Sequence, residues 1–458
     1  MVNRKKPMTK KQEKAASQIE EMKVQARKAP HALRGMKDIM PEDDRYWKHV
    51  FTTAQDMMET SYFERLEPPV LEEEKTFKKS LGEENPIMLE ELYAFKDASG
   101  DSVALRPELR TGIVRAYIEH ALFLQPQPVK LWHYGPCFRF DKPQSGRYRQ
   151  FWQLGCEVMG DSHPVIDAQL ISIVARLFDK LGIPITIQVN SIGDKQSRSD
   201  YSRALLDFLK AHKNAIPEHL KETYKKFPLR LFEERDEELQ LVLQNAPQVV
   251  DSLTPEANAH FVKVLEHLDE LDVPYVLNPR IMRGNGYFSH TVFEVFPAAE
   301  GETKPLSLGG GGRYDTLFEA MGGKQGGGAF GFSLGVDRMV KEMKRLDLKV
   351  PDRKPPEVFL AQLGDVARKR AIAILRQLHE HKFLVAESFS KEGLKAQMEI
   401  AAKLNVAYTL IIGQKEILDD TILIRDMENG IQEVIDSKKI VSELTKRLRN
   451  NGNGNGHA

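Results

Sequence analysis

Cysteine is nearly absent: the 458 residues hold two, Cys137 and Cys156. Two thiols exclude a disulfide framework and a four-cysteine zinc site, and they point to a reducing, cytoplasmic compartment. An excess of one charge is missing too, since Lys+Arg and Asp+Glu both total 66. Net charge therefore gives no argument for nucleic acid, and any contact with it must run through local patches. No apolar run is long enough to span a membrane, and no signal-peptide pattern opens the chain. What is present is 41% hydrophobic and 29% charged, a globular profile, at a length that calls for two or three domains.

The most informative stretch is Cys137 to Gly160, CFRFDKPQSGRYRQFWQLGCEVMG. Two runs with a two-residue beat flank Pro143, Ser145 and Gly146, which predicts a β-hairpin with a long cationic loop. On the second strand Phe151, Gln153, Gly155 and Glu157 share one face, while Trp152, Leu154, Cys156 and Val158 turn to a core. An aromatic, an amide, a missing side chain and a carboxylate pack poorly. They suit the floor of a polar pocket in which Gly155 leaves room for a ligand, or else a merely solvated face. Arg139, Lys142, Arg147 and Arg149 bring positive charge to the loop end.

Residues 1–30 carry nine Lys/Arg against three Glu, a net +6 by subtraction. This is a frayed or partly helical arm, open to an RNA backbone or simply solvated. An amphipathic helix is expected over Glu42–Ser61, followed by an extended segment in which Pro68-Pro69 forbids helix. Val103–Leu105 reads as a strand and Thr111–His120 as a helix. Glu108 then stands on the corner between them, either capping the helix or meeting a ligand amine. Helix over Pro164–Leu181 and strand over Ile185–Val189 precede a stretch, 191–279, that is almost wholly helical in pattern. Ser307–Leu317, SLGGGGRYDTL, allows close backbone approach to a ligand, but it is no P-loop because no Gly-Lys-Ser/Thr follows. Asp352–Pro356 is a charged, proline-containing linker. Beyond it VFLAQL, FLVAESF and YTLIIG alternate with helical stretches at Val366–His381 and Lys391–Leu404. That alternation predicts βαβ units and a mixed, mostly parallel sheet. A hairpin, a last helix over Ser437–Arg449 and a disordered tail complete the chain.

FRFDKPQSGRYRQF with QLGCEV resembles motif 2 of class II aminoacyl-tRNA synthetases, and more closely that of the histidyl-tRNA synthetases. FERLEPPVLEE resembles motif 1, which builds a dimer interface in the family, and GFSLGVDRMVKEM resembles motif 3. LRPE, the Arg283-Gly284 pair and GGRYD add to the likeness, which runs from about Arg34 to Leu448. It implies an α+β fold: an antiparallel-sheet class II catalytic core with a helical insertion, followed by an α/β anticodon-binding domain. The boundaries expected are a basic arm at 1–30, core at 31–190, insertion at 191–279 and core again at 280–350. The anticodon-binding domain then covers 351–449 and the tail 450–458.

The resemblance implies a histidine–tRNA ligase that forms histidyl-adenylate from L-histidine and ATP and passes the histidyl group to tRNA(His). Arg139 and Arg283 would be catalytic, on either side of the reacting phosphate. Arg139, Arg147, Phe151 and Arg338 would bind ATP. Glu108, Gln153, Glu157, Tyr287 and Tyr314 would bind histidine, with Glu157 accepting an imidazole N–H. Lys142 and Gln144 would meet the tRNA acceptor end. Mg²⁺ would bridge the ATP phosphates without a dedicated protein metal site. A cytoplasmic homodimer with no membrane contact is implied. The pattern departs from the family at Arg110, Asn285, Gly286 and Phe288. Phe288 lacks the hydroxyl of a tyrosine used near the imidazole, which predicts weaker histidine binding. Three rival readings are a non-catalytic regulatory subunit of ATP phosphoribosyltransferase, a class II synthetase for proline or threonine, and a non-catalytic RNA-binding protein. The set of arginines and the C-terminal βαβ pattern weigh against the first and last.

Overall fold

A computed structural model describes residues 30–141, 146–221, 228–233, 236–282, 286–298, 306–323 and 327–452. Lys142, Gln144, Arg283 and nearly all of the basic arm lie outside those residues. Contacts divide the chain between Val350 and Pro351 into two compact units.

The first unit contains β1 (Glu64–Arg65), β2 (Leu71–Glu73), β3 (Ala94–Lys96), β4 (Ser102–Leu105), β5 (Val129–Phe138) and β6 (Gln150–Met159). It continues with β7 (Ile185–Ser191), β8 (Val276–Leu277), β9 (Ser289–Pro297), β10 (Gly309–Arg313) and β11 (Ala329–Gly335). Eight of these form one sheet in the order β1-β5-β6-β11-β10-β9-β7-β8, and β2-β4-β3 form a small second sheet. Inside the large sheet the pairs are antiparallel, while the edge pairs β1–β5 and β7–β8 run parallel. One face is covered by the helices Pro41–Thr60, Pro164–Lys180, Pro255–Glu270 and Val336–Arg345. Leu154, Cys156 and Val158 point into that core, as the two-residue beat requires. The opposite face carries Glu157 and, beside it, Leu131 and Met159 of a second apolar cluster.

Local chemistry explains the helices. Pro41–Thr60 opens on a proline with Glu42, Asp43 and Asp44 in its first turn, where carboxylates offset the orphan N–H groups. Arg110–Glu119 follows the LRPE corner. The 191–279 stretch holds the helices Lys195–Ala211, Glu237–Leu243 and Pro255–Glu270, but it also contains β8, which the sequence reading missed. Two residues are too few to display a period.

In the second unit the strands are β12 (Val358–Gln362), β13 (Val385–Glu387), β14 (Tyr408–Ile412), β15 (Thr421–Asp426) and β16 (Gln432–Asp436). Their order is β13-β12-β14-β15-β16. Only the β13–β12 and β12–β14 pairs are parallel; β14–β15 and β15–β16 are antiparallel. The sheet is thus half parallel rather than mostly so, because the final hairpin adds its strands without a crossover. The closing helix spans Ile440–Gly452, so it takes in residues expected in the tail. Both cysteines are buried free thiols.

Candidate active site

The corner between β4 and the Arg110–Glu119 helix is fastened to the β5–β6 hairpin by buried arginine. Arg106, 1% exposed, donates from Nε to the Pro136 carbonyl at 2.8 Å and from Nη1 to that of Pro68. Arg139 Nε reaches back to the Pro107 carbonyl at 2.9 Å, and the Leu109 N–H donates to Gln153 Oε1 at 3.3 Å. Glu108, Arg110 and the polar face of β6 are therefore set by one bonded frame.

At the loop end of the hairpin cations converge. Arg338, the third residue of the Val336–Arg345 helix, donates to the carbonyls of Gly146 (3.1 Å) and Ser307 (2.5 Å). Burial, then the charges of Arg147 and Arg139, push its guanidinium below the ordinary arginine range. Arg147 leans on Asp141 at 3.1 Å, and Arg139 lies over the Phe151 ring at 5.5 Å. Glu91 is drawn in as well: burial raises its carboxyl, against the pull of Arg139 and Arg147. Like charges gathered at this density leave the cleft short of anions, which a polyphosphate would supply. The helix carrying Arg338 is held in place by Asp337, which accepts from the Trp152 N–H at 2.8 Å and pairs with Lys37 at 3.0 Å. Among the described residues no three His, Cys, Asp or Glu side chains gather as a metal site.

Deeper along β6, Glu157 is fully buried. Its oxygens accept from Arg110 Nε at 3.0 and 3.1 Å, from the Tyr314 hydroxyl at 2.6 Å, and stand 3.4 Å from His133 Nε2. Burial alone would raise this carboxyl, but Arg110, His133 and Tyr314 together hold it below the ordinary carboxylate range. Burial alone would likewise depress the Arg110 guanidinium, and Glu157 with the two tyrosines carries it well above. Arg110 also donates to the Tyr287 hydroxyl at 3.3 Å and stands 5.8, 5.2 and 4.8 Å from the rings of Tyr287, Phe288 and Tyr314. Glu108 accepts from the hydroxyls of Tyr287 (3.0 Å) and Thr111 (2.9 Å).

Of the residues singled out in the sequence, Arg139, Arg147, Phe151 and Arg338 come together at one end of this face. Glu108, Gln153, Glu157, Tyr287 and Tyr314 come together at the other. Two expectations about glycine are corrected. A Cβ on Gly155 would meet the Phe332 carbonyl at 2.1 Å and the His133 ring at 2.5 Å, so the space beside it belongs to the protein and not to a ligand. In the GGGG run a Cβ on Gly311 would strike the Gly331 carbonyl at 2.1 Å, so the close approach there is strand to strand. Sequence reasoning missed Arg110, noted only as a departure, along with His133, Asp337 and Gly331. Gly331 is required because its Cβ would fall 1.6 Å from Glu157 Oε2. His133 was within reach: it lies opposite Gly155 in the β5–β6 register, and counting back from the hairpin tip puts it on the same face.

The family model described as histidyl-tRNA synthetase matches residues 35–339, and an anticodon binding domain model matches 357–447. A histidine–tRNA ligase of Dehalococcoides mccartyi is 35% identical over 416 residues, covering 91% of this chain and 99% of that protein. The structure of apo S. aureus histidyl-tRNA synthetase superposes with TM-score 0.75 at 28% identity, over 91% of this chain and 99% of that one. A Bacillus halodurans structure described as an ATP phosphoribosyltransferase regulatory subunit/histidyl-tRNA synthetase reaches 0.59 at 19% identity, over 84% and 99%, a likeness of fold alone.

Proposed function

The chain belongs to the histidyl-tRNA synthetase family, and from that premise we infer that it is a histidine–tRNA ligase, which activates L-histidine with ATP and transfers the histidyl group to tRNA(His). The first step brings a carboxylate against the α-phosphate of ATP. Fixed cations around that phosphorus are the main source of rate. Arg139 holds the α-phosphate, Arg147 the outer phosphates and Arg338 the far side of the nucleotide, with Phe151 beneath the base. Arginine suits all three places because its planar fork keeps both its charge and its geometry. Arg283 completes the set across the reacting centre. Mg²⁺ enters with ATP as part of the substrate.

Glu108 takes the α-amino group, and Gln153, Tyr287 and Tyr314 line the side-chain pocket with Glu157 behind them. Lys142 and Gln144 receive the acceptor end of the tRNA, and the second unit reads the anticodon. The motif 1 segment pairs two copies of the chain as a cytoplasmic homodimer. No described helix is long and apolar enough to cross a membrane.

One observation carries the catalytic reading: the guanidinium groups of Arg139, Arg147 and Arg338 crowd together at the mouth of the hairpin. ATP–pyrophosphate exchange run with each of the twenty amino acids tests it. Exchange should depend on histidine, and Arg338→Ala should lower kcat/KM for ATP by about a hundredfold. Equal rates with several amino acids, or an unchanged Arg338→Ala, would reject the assignment.

A further inference from the structure

Resting on the assignment of this pocket to histidine, we propose that Arg110 reads the substrate's side chain: its Nη2 donates to the unprotonated nitrogen of a neutral imidazole, and its charge turns imidazolium away. The starting point is that Glu157, the acid expected to receive an imidazole N–H, is already engaged. Arg110, Tyr314 and His133 surround its two oxygens, and no part of the side chain is exposed. Glu157 is thus already matched by donors of the protein itself.

Arg110 is 4% exposed; its Nε–H goes to Glu157 and one of its two Nη1 hydrogens to the Tyr287 hydroxyl. Among the described residues Nη2 has no hydrogen-bond partner. A buried guanidinium N–H without an acceptor is costly, and a ligand lone pair would satisfy it. The surroundings specify what kind of ligand. The rings of Tyr287, Phe288 and Tyr314 stand around the guanidinium at 4.8–5.8 Å, so a ligand reaching Nη2 meets an aromatic lining. Phe288 brings no hydroxyl, the Tyr314 hydroxyl donates to Glu157, and that of Tyr287 donates to Glu108. Arg110 is thus the donor left to fill the place that a second tyrosine would hold.

Neutral imidazole carries one donor and one acceptor nitrogen, whereas imidazolium carries two donors and a positive charge. Besides Glu157, which His133 also touches, the titratable groups facing the guanidinium among the described residues are Tyr287, Tyr314 and Glu108. Arg110 sits two residues after Glu108, so one corner would present the α-amino contact and the side-chain contact together.

The test uses the full chain in ATP–pyrophosphate exchange between pH 5.5 and 8, with L-histidine and with 1,2,4-triazolyl-3-alanine. The triazole offers the same acceptor but stays neutral across that range. Because both ligands meet the same protein groups, the ratio of their KM values isolates protonation of the substrate. In the wild type the histidine/triazole ratio should rise about tenfold per pH unit below about pH 6.5, with kcat unchanged. In Arg110→Ala, the uncovered Glu157 carboxylate should attract imidazolium and flatten the ratio. KM for the triazole should then rise by about ten- to a hundredfold. Arg110→Lys keeps the cation and should keep the slope, which separates charge from misfolding. A wild-type ratio that stays constant with pH overturns the proposal, as does a wild-type slope in Arg110→Ala. Absence of exchange with histidine at every pH removes the histidine assignment itself.

Discussion

Glu157 and Arg110 are 47 residues apart in sequence, and they meet as an ion pair buried on both sides. Removing one partner of such a pair leaves a bare charge in a dry site, which costs about 3–5 kcal/mol. Glu157→Gln should therefore lower stability by about that much at pH 7, read from urea unfolding; a loss under ~1 kcal/mol would mean that the guanidinium is better solvated than its burial indicates. The acid limb gives a second reading. Glu157 and Asp167, the latter held below the ordinary range against its burial by Arg313 and His260, bind protons less readily folded than unfolded. Their stabilisation is complete above the unfolded carboxylate range and is lost as pH falls through the lower folded values. In Glu157→Gln one of these two contributions is gone, so stability should fall less steeply on acidification below about pH 4.5.

Among the elements, β6 was legible because period-two patterning over its ten residues leaves little choice of face, whereas β5, Val129–Phe138, overlaps the expected first run only at Cys137 and Phe138. The helices over Glu42–Ser61 and Pro164–Leu181 were legible to within a residue at each end, since proline and acidic first turns mark their starts. β1 and β8, two residues each, were not, because they exist only by pairing along a sheet edge. The residues that lie together around Glu157 and Arg338 were singled out through motifs, whereas Arg110 looked like drift: nothing local in LRPELRT says that its partner lies on the far strand of a hairpin. Asp337 was hidden for the same reason. It joins the start of the Val336–Arg345 helix to the Trp152 N–H of β6, so it should act on Arg338 through position alone. Asp337→Ala is expected to raise KM for ATP by about ten- to a hundredfold while leaving KM for histidine within about twofold. An equal rise in both would mean that the helix anchors the whole face and not the nucleotide end.

Taken as a whole, the molecule carries the residues proposed for ATP and histidine in one unit. Every described residue assigned to ATP or histidine, from Glu108 to Arg338, precedes Val350, and the second unit has hydrophobic cores of its own, among them Val358, Leu360, Leu410 and Ile424. The segment between them is exposed and without regular secondary structure, and it offers trypsin the Arg353–Lys354 bond, while Pro355 protects the bond after Lys354. A single early cut there should yield two fragments. If activation needs only the first unit and charging needs the anticodon contacts of the second, the nicked and separated first fragment keeps ATP–pyrophosphate exchange within about threefold. Its kcat/KM for tRNA in aminoacylation should fall by at least about tenfold, equivalent to ~1.4 kcal/mol of lost contact. The balanced total of 66 basic and 66 acidic residues sharpens the point, because no general attraction to RNA compensates for the missing unit. Exchange that falls in step with aminoacylation would show that the second unit supports the first in activation as well as in tRNA recognition.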